Sequence, residues 1–195
     1  SIGIMRGLVY KSTGSWYSVR DEQGKFWNAR IKGLLKLDEI TSTNPVAVGD
    51  WVQLEVEDAE VATAMILDIV PRNNYLHRQS PRHKHQHHIV AANLDQSMLI
   101  VTVKNPKTST GFIDRCLVAA ETYHVPSLIV CNKADIYGVK ELSIFEEWVR
   151  VYSGAGYSVL LVSAESGQGM EELQQHLLNK TTLVTGHSGV GKSSL

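Results

Sequence analysis

Cysteine is almost missing from this sequence, with two residues, Cys116 and Cys131, among 195. Both fall in apolar stretches of a predicted helix and strand, where a free thiol serves as a small core residue. Such sparing use points to a reducing, cytoplasmic setting. Long apolar runs are missing as well. No stretch approaches the roughly 18 continuous residues of a membrane span, the N-terminus carries no charged-then-apolar leader pattern, and no membrane partner is expected. Internal repeats are absent, which removes solenoids and propellers. There is no surplus of basic charge either: 19 Lys and Arg stand against 20 Asp and Glu, a formal net charge of −1. Residues 1–70 are acidic, 7 cations against 10 anions, so any nucleic-acid contact there has to be a local patch rather than a uniformly basic face. What remains is ordinary globular composition, 43% hydrophobic and 20% charged, in a length suited to one or two domains.

The most informative stretch lies late in the chain. Gly186-His187-Ser188-Gly189-Val190-Gly191-Lys192-Ser193 fits the phosphate-loop pattern G-x-x-x-x-G-K-[ST]. The β-branched run Thr182–Thr185 before it reads as the strand that feeds such a loop. Glycines allow backbone N–H groups to close around phosphate oxygens. Lys192 brings a point charge to the β- and γ-phosphates, and the Ser193 hydroxyl is placed to ligate Mg²⁺. Ser194 continues the phosphate-binding set. Upstream, Asn132-Lys133-Ala134-Asp135 follows the apolar run 127–131. An Asp carboxylate at such an exit accepts both the ring N1–H and the exocyclic amine of guanine, a donor pair adenine does not offer. Ser163-Ala164-Glu165 follows the run 159–162, where backbone N–H groups can meet the guanine O6. Three motifs at three strand exits make one guanine-nucleotide site.

Residues 1 to about 70 predict five short strands, at 5–10, 16–20, 26–32, 50–56 and 64–70, with a hairpin turn at Asp21–Gly24. Five strands in that length fit an OB-like closed barrel. Trp16, Arg20, Lys25, Trp27, Arg30 and Lys32 gather on two adjacent strands, and interleaved cations and aromatics suit stacking on bases. The competing reading buries both tryptophans in the barrel. Residues 71–88 read as a basic, His-rich linker, with four cations, no acids and five of the eight histidines. Metal binding by those histidines is disfavoured, since neither cysteine nor acid accompanies them; a loop that touches RNA or hinges two domains is favoured. Arg78, Arg82 and Lys84 from this stretch join Arg20, Lys25, Arg30 and Lys32 in one candidate RNA-facing set. From 89 to 195 strand and helix patterns alternate, predicting an α/β domain with a parallel sheet.

In most GTPases the phosphate loop precedes the guanine-reading motifs. Here it follows them, and a β-rich segment comes first. In this order the chain resembles the RsgA (YjeQ) family of circularly permuted GTPases. Val48–Val52, Ala91–Gln96 and Gly111–Arg115 add local matches. The resemblance implies an all-β OB-like barrel followed by a circularly permuted P-loop GTPase domain. It implies a GTP-binding and hydrolysing factor of late small-ribosomal-subunit maturation, with GTP/GDP and Mg²⁺ as ligands and the subunit's rRNA as partner. A monomer is expected. The family places two switch segments and a zinc-bearing domain after the phosphate loop. None is found here, so the GTPase domain reads as incomplete, no catalytic residue or zinc ligand is assigned, and little or no hydrolysis is expected of these residues alone. Two other classes stay open at this stage: a P-loop kinase or ATPase using ATP, and an RNA-binding module with a vestigial nucleotide fold.

Overall fold

The computed structural model describes residues 3–33, 45–79 and 87–195. The chain divides into two compact units, Ser1–Asn93 and Leu94–Leu195.

In the first unit, β1 (Ile4–Ser12), β2 (Tyr17–Asp21), β3 (Phe26–Ile31), β4 (Trp51–Asp58) and β5 (Thr63–Ile69) close into a barrel of order β1-β2-β3-β5-β4. Every predicted strand is present. Period-two alternation drives closure: Val9, Tyr17, Val19, Trp27, Ala29, Val52, Leu54, Ala64 and Ile66 all point inward and are buried. The hairpin between β2 and β3 is built by Asp21, whose Oδ1 accepts from the N–H groups of Gln23 and Lys25, both at 2.9 Å. Its Oδ2 accepts the Trp27 indole N–H at 2.9 Å. That last bond is the main reason the Asp21 carboxyl sits below the usual carboxylate range. Four of the five junctions are antiparallel; β3 and β5 run parallel and seal the ring.

The stretch read from composition as a linker contributes strands. β6 (Tyr75–Gln79) pairs antiparallel with β7 (His87–Ala92). What holds this hairpin is polar and long-range, which is why apolar periodicity does not reveal it. Arg72 meets the fully buried Asp50 with two hydrogen bonds, at 2.6 and 2.7 Å, and donates to the Pro45 carbonyl at 2.6 Å. Asp50 also accepts from the Ala47 N–H at 2.7 Å. Removing one partner of such a buried pair typically costs about 3–5 kcal/mol, because the other charge is left unpaired. Asn93 ties the far end, donating to the Gly49 carbonyl and accepting from the Asn73 N–H, both at 2.9 Å. Gly49 has to be glycine: its φ is +94°, and a Cβ there would lie 2.0 Å from the Ala92 carbonyl oxygen. Arg82 and Lys84 lie outside the described residues.

The second unit is a parallel sheet of order β10-β9-β8-β11. Its elements run β8 (Gln96–Val101), α1 (Thr110–Thr122), β9 (Ser127–Cys131), α2 (Val139–Gly154), β10 (Ser158–Leu161), α3 (Met170–Leu177) and β11 (Thr182–Thr185). Both sheet faces are covered, as an all-parallel sheet requires. Leu99, Val101, Ile129 and Cys131 pack with Ile113 and Leu117 of α1 and Trp148 and Tyr152 of α2. Met98, Ile100, Leu128, Val130 and Leu160 pack on the other face with Leu173 of α3. Cys131 is core, as its sequence context predicts; burial pushes its thiol up to about 12, which keeps it protonated and unreactive at neutral pH. Strand order reverses at β8, between β9 on one side and β11 on the other. Ligands of open α/β sheets bind at such a point, beyond the strands' C-terminal ends.

Candidate guanine-nucleotide site

Three loops leave the C-terminal ends of β9, β10 and β11, and they carry the three motifs. One side chain binds them together. Asn132, buried at the end of β9, accepts the Ala164 N–H on Oδ1 at 3.1 Å and donates Nδ2–H to the Val190 carbonyl at 3.0 Å. A single amide thus spans the N-K-A-D, S-A-E and phosphate-loop segments, using both its donor and its acceptor.

Ser163 and Asp135 meet at the exits of β9 and β10. Ser163 is fully buried, donates its hydroxyl to Asp135 Oδ1 at 2.7 Å and accepts the Ser166 N–H at 3.0 Å. The carboxylate is held from one side and stays exposed on the other, where a base would meet it. Lys133 takes a left-handed conformation, φ 69°, and its Nζ donates to the Asn105 carbonyl at 2.5 Å. Glu165 is exposed. Sequence reasoning missed Tyr137, whose hydroxyl donates to the Asn132 carbonyl and accepts the Val103 N–H at 2.9 Å. Burial raises this phenol far above its ordinary range, so it remains a donor throughout the working pH range. No local pattern marks Tyr137, because its partner Val103 is 34 residues away.

The phosphate end is a loop that glycine makes possible. Gly186, Gly189 and Gly191 have φ of +151°, +88° and +95°. A Cβ on Gly191 would come within 2.4 Å of Asn132 Nδ2, and one on Gly186 within 2.8 Å of the Ile100 carbonyl. Lys192 Nζ donates to the Gly186 carbonyl at 2.7 Å, reaching back across the loop it belongs to. Lys192, Ser193 and Ser194 form a 3-10 turn with exposed side chains. The loop's left-handed glycines, the free face of Lys192 and the Ser193 hydroxyl fit a triphosphate with Mg²⁺. Among the described residues no group of three or more His, Cys, Asp or Glu is gathered for a metal; of the residues here, Ser193 is the one that would hold a magnesium ion. The His187 imidazole reaches the start of α1: Nε2 lies 2.8 Å from Thr108 Oγ1, and the ring meets Phe112 edge-to-face at 5.2 Å.

On the barrel, Arg20 and Arg30 lie on the outward side of β2 and β3, and Lys32 follows β3, exposed. Exposed Tyr10 and Phe26 meet edge-to-face there at 5.3 Å, and Arg20 donates to the Tyr10 hydroxyl at 3.4 Å. Arg30 lies 5.6 Å from the centre of the Trp16 ring and pairs with Glu57 at 2.9 Å. The two tryptophans part company: Trp27 is core at 5% exposure, whereas Trp16 is 36% exposed. Lys25 sits over the Trp27 ring at 4.2 Å, in the hairpin turn. The backbone of Arg78 belongs to β6.

Comparison with known proteins gives the chain's family. The RsgA GTPase family model matches residues 69–195, and the RsgA N-terminal domain model matches residues 6–64. A Bacteroides thetaiotaomicron protein named small ribosomal subunit biogenesis GTPase RsgA 2 is 49% identical over 191 residues, covering 98% of this chain and 61% of its own length. A Cytophaga hutchinsonii protein named small ribosomal subunit biogenesis GTPase RsgA is 45% identical over 191 residues, covering 98% and 62%. Among solved structures, YjeQ from Thermotoga maritima superposes with a TM-score of 0.82 at 35% identity, over 98% of this chain and 63% of that one. YloQ, titled a circularly permuted GTPase, gives 0.78 at 28% identity, with the same coverages. The chain therefore spans about three fifths of the length of the curated relatives it matches.

Proposed function

This chain belongs to the RsgA GTPase family, and from that premise we propose that it is the guanine-nucleotide and RNA-binding part of a GTPase acting in late maturation of the small ribosomal subunit. The observation that carries this reading is the Asn132 amide, which joins the base-reading and phosphate-holding segments in one site. The site recognises guanine through Asp135, steadied by Ser163. It receives the phosphates in the Gly186–Ser193 loop, with Lys192 exchanging the Gly186 carbonyl for phosphate oxygens. Magnesium, held by Ser193 and the nucleotide, would offset phosphate charge. Titration with GTP, GDP and ATP, with and without small subunits, tests the reading: the two guanine nucleotides should bind and ATP should not, and equal binding of GTP and ATP refutes it.

The barrel supplies the RNA contact. Arg20, Arg30 and Lys32 stand beside exposed Tyr10, Phe26 and Trp16 on the outward face, with Lys25 at its edge. Arg78, Arg82 and Lys84 are assigned to RNA contact on the sequence alone. The net acidity of residues 1–70 keeps free RNA binding weak, so fit to a folded subunit contributes much of the affinity. Neutralising Arg30 and Lys32 together should weaken subunit binding and flatten its salt dependence by about 0.7–0.9 in the log–log slope per lost phosphate contact. GTP affinity should not change. Parental subunit affinity and slope in the double variant would exclude this face.

A further inference from the structure

The phosphate loop is held on two flanks, and only one of them belongs to the guanine motifs. On the second flank, the turn from β8 into α1 folds around Thr108. The Thr108 N–H donates to the Thr102 carbonyl at 3.0 Å, and Thr108 Oγ1 accepts the Thr102 N–H at 3.0 Å. The Thr102 hydroxyl donates to the Pro106 carbonyl and closes the turn. Thr108 is 2% exposed. Its hydroxyl has one proton to give and two lone pairs, one of them already taken by Thr102. The His187 Nε2 lies 2.8 Å from Thr108 Oγ1, and Nδ1 lies 3.2 Å from the Ser188 carbonyl, which can only accept. The tautomer that satisfies both contacts carries its proton on Nδ1 and leaves Nε2 to accept the Thr108 hydroxyl proton. Phe112, in the first turn of α1, packs edge-to-face on the same ring. Gly189 completes the seam, since a Cβ there would stand 3.5 Å from the Pro106 ring. The same turn also receives Lys133 through the Asn105 carbonyl.

We propose that Thr108 is a positioning residue for the phosphate loop, acting through the His187 imidazole. The hydroxyl–imidazole bond pins the first half of the loop to the start of α1, while Asn132 pins the second half through Val190. With both ends held, the intervening N–H groups stay convergent and the nucleotide does not have to order them on arrival. His187 thus serves the phosphates by its backbone, and its side chain serves the loop. This rests on the nucleotide-binding reading above.

The experiment is a cycle of Thr108→Val, His187→Ala and the double variant in the full chain, read by titration with fluorescent GDP. Each single change should raise the GDP Kd about 5- to 30-fold, the cost of one buried hydrogen bond. The double variant should be no weaker than the weaker single one, and Thr108→Ser, which keeps the hydroxyl, should restore parental binding. Selective ¹⁵N-histidine labelling adds a readout that a merely structural role would not move: His187 should show the Nδ1–H tautomer with Nε2 accepting, and Thr108→Val should abolish the acceptor signature. If Thr108→Val unfolds, His187→Ala and the parental tautomer decide in its place. GDP binding within twofold of the parent in Thr108→Val, additive losses in the double variant, or an Nε2–H tautomer overturns the proposal. A parent that binds ATP as tightly as GTP overturns guanine selectivity alone, and the cycle then decides the positioning role with either nucleotide. A parent that binds neither overturns both.

Discussion

An Asp135→Asn protein should bind GTP roughly 5- to 150-fold less tightly than the parent and gain affinity for xanthosine triphosphate. The range corresponds to the roughly 1–3 kcal/mol that a mismatched polar group typically costs. Ser163 makes the outcome specific. Its hydroxyl donates to Asp135 Oδ1, and the introduced amide can keep that bond through its own oxygen. Its NH₂ is then turned toward the base, where it meets the amine of guanine as a second donor but finds an acceptor in the 2-oxo group of xanthine. Competition of GTP, XTP and ATP against a fluorescent guanine nucleotide measures the change. An unaltered preference for GTP would show that Asp135 does not read the base.

Gly191→Ala should cost even more, about 10²-fold or greater in GTP and GDP affinity. Two effects add. A non-glycine residue near φ +95° is strained by roughly 1–2 kcal/mol. The new methyl would also stand 2.4 Å from Asn132 Nδ2, and Asn132 cannot retreat without releasing Val190 or Ala164. Each buried bond released costs about 1–3 kcal/mol. Loss should therefore appear in guanine binding as well as phosphate binding, although residue 191 lies in the phosphate loop. Calorimetric titration with GDP checks the size. A thermal melt checks that the parallel sheet, whose core does not include Gly191, still unfolds as in the parent. Parental GDP affinity would mean that the loop relaxes freely around the methyl and that Asn132 does not bridge the motifs.

Sequence patterns are legible where a fold uses local rules. Val52-Gln53-Leu54-Glu55-Val56 alternates, and Val52 and Leu54 are core while Gln53 is exposed. The three nucleotide motifs each sit at a strand exit, where the loops of neighbouring strands converge. What stayed hidden depends on partners distant in the chain. The parallel junction of β3 with β5 has no local signature, because parallel neighbours need not be connected by any turn. The β6–β7 pair is short and rich in polar residues, and it owes its place to Asp50, Gly49 and Asn93, whose contacts span 20 to 44 residues. Thr108 and Tyr137 are ordinary in their own surroundings; only the fold brings them to His187 and Val103. For Trp16 and Trp27 composition could not choose between surface and core. Register chose, pairing Trp27 with inward Val19.

The bond between Asn132 and the Val190 carbonyl spans 58 residues in the order opposite to the usual one, with the base-reading turn ahead of the phosphate loop. During vectorial synthesis this has a cost in time. Strands β8, β9 and β10 leave the ribosome first and can stack as neighbours, and Ala164 reaches Asn132 after 32 residues. The donor end of the amide then waits for β11 to dock beside β8. From Ala164 to Val190 is a further 26 residues, and at about 5–20 residues per second the interval is roughly 1–5 s. Throughout it the proposed base-binding turns would stand without the proposed phosphate loop, and affinity for cellular triphosphates would be low. Nucleotide capture would thereby be deferred until β11 is in place beside β8.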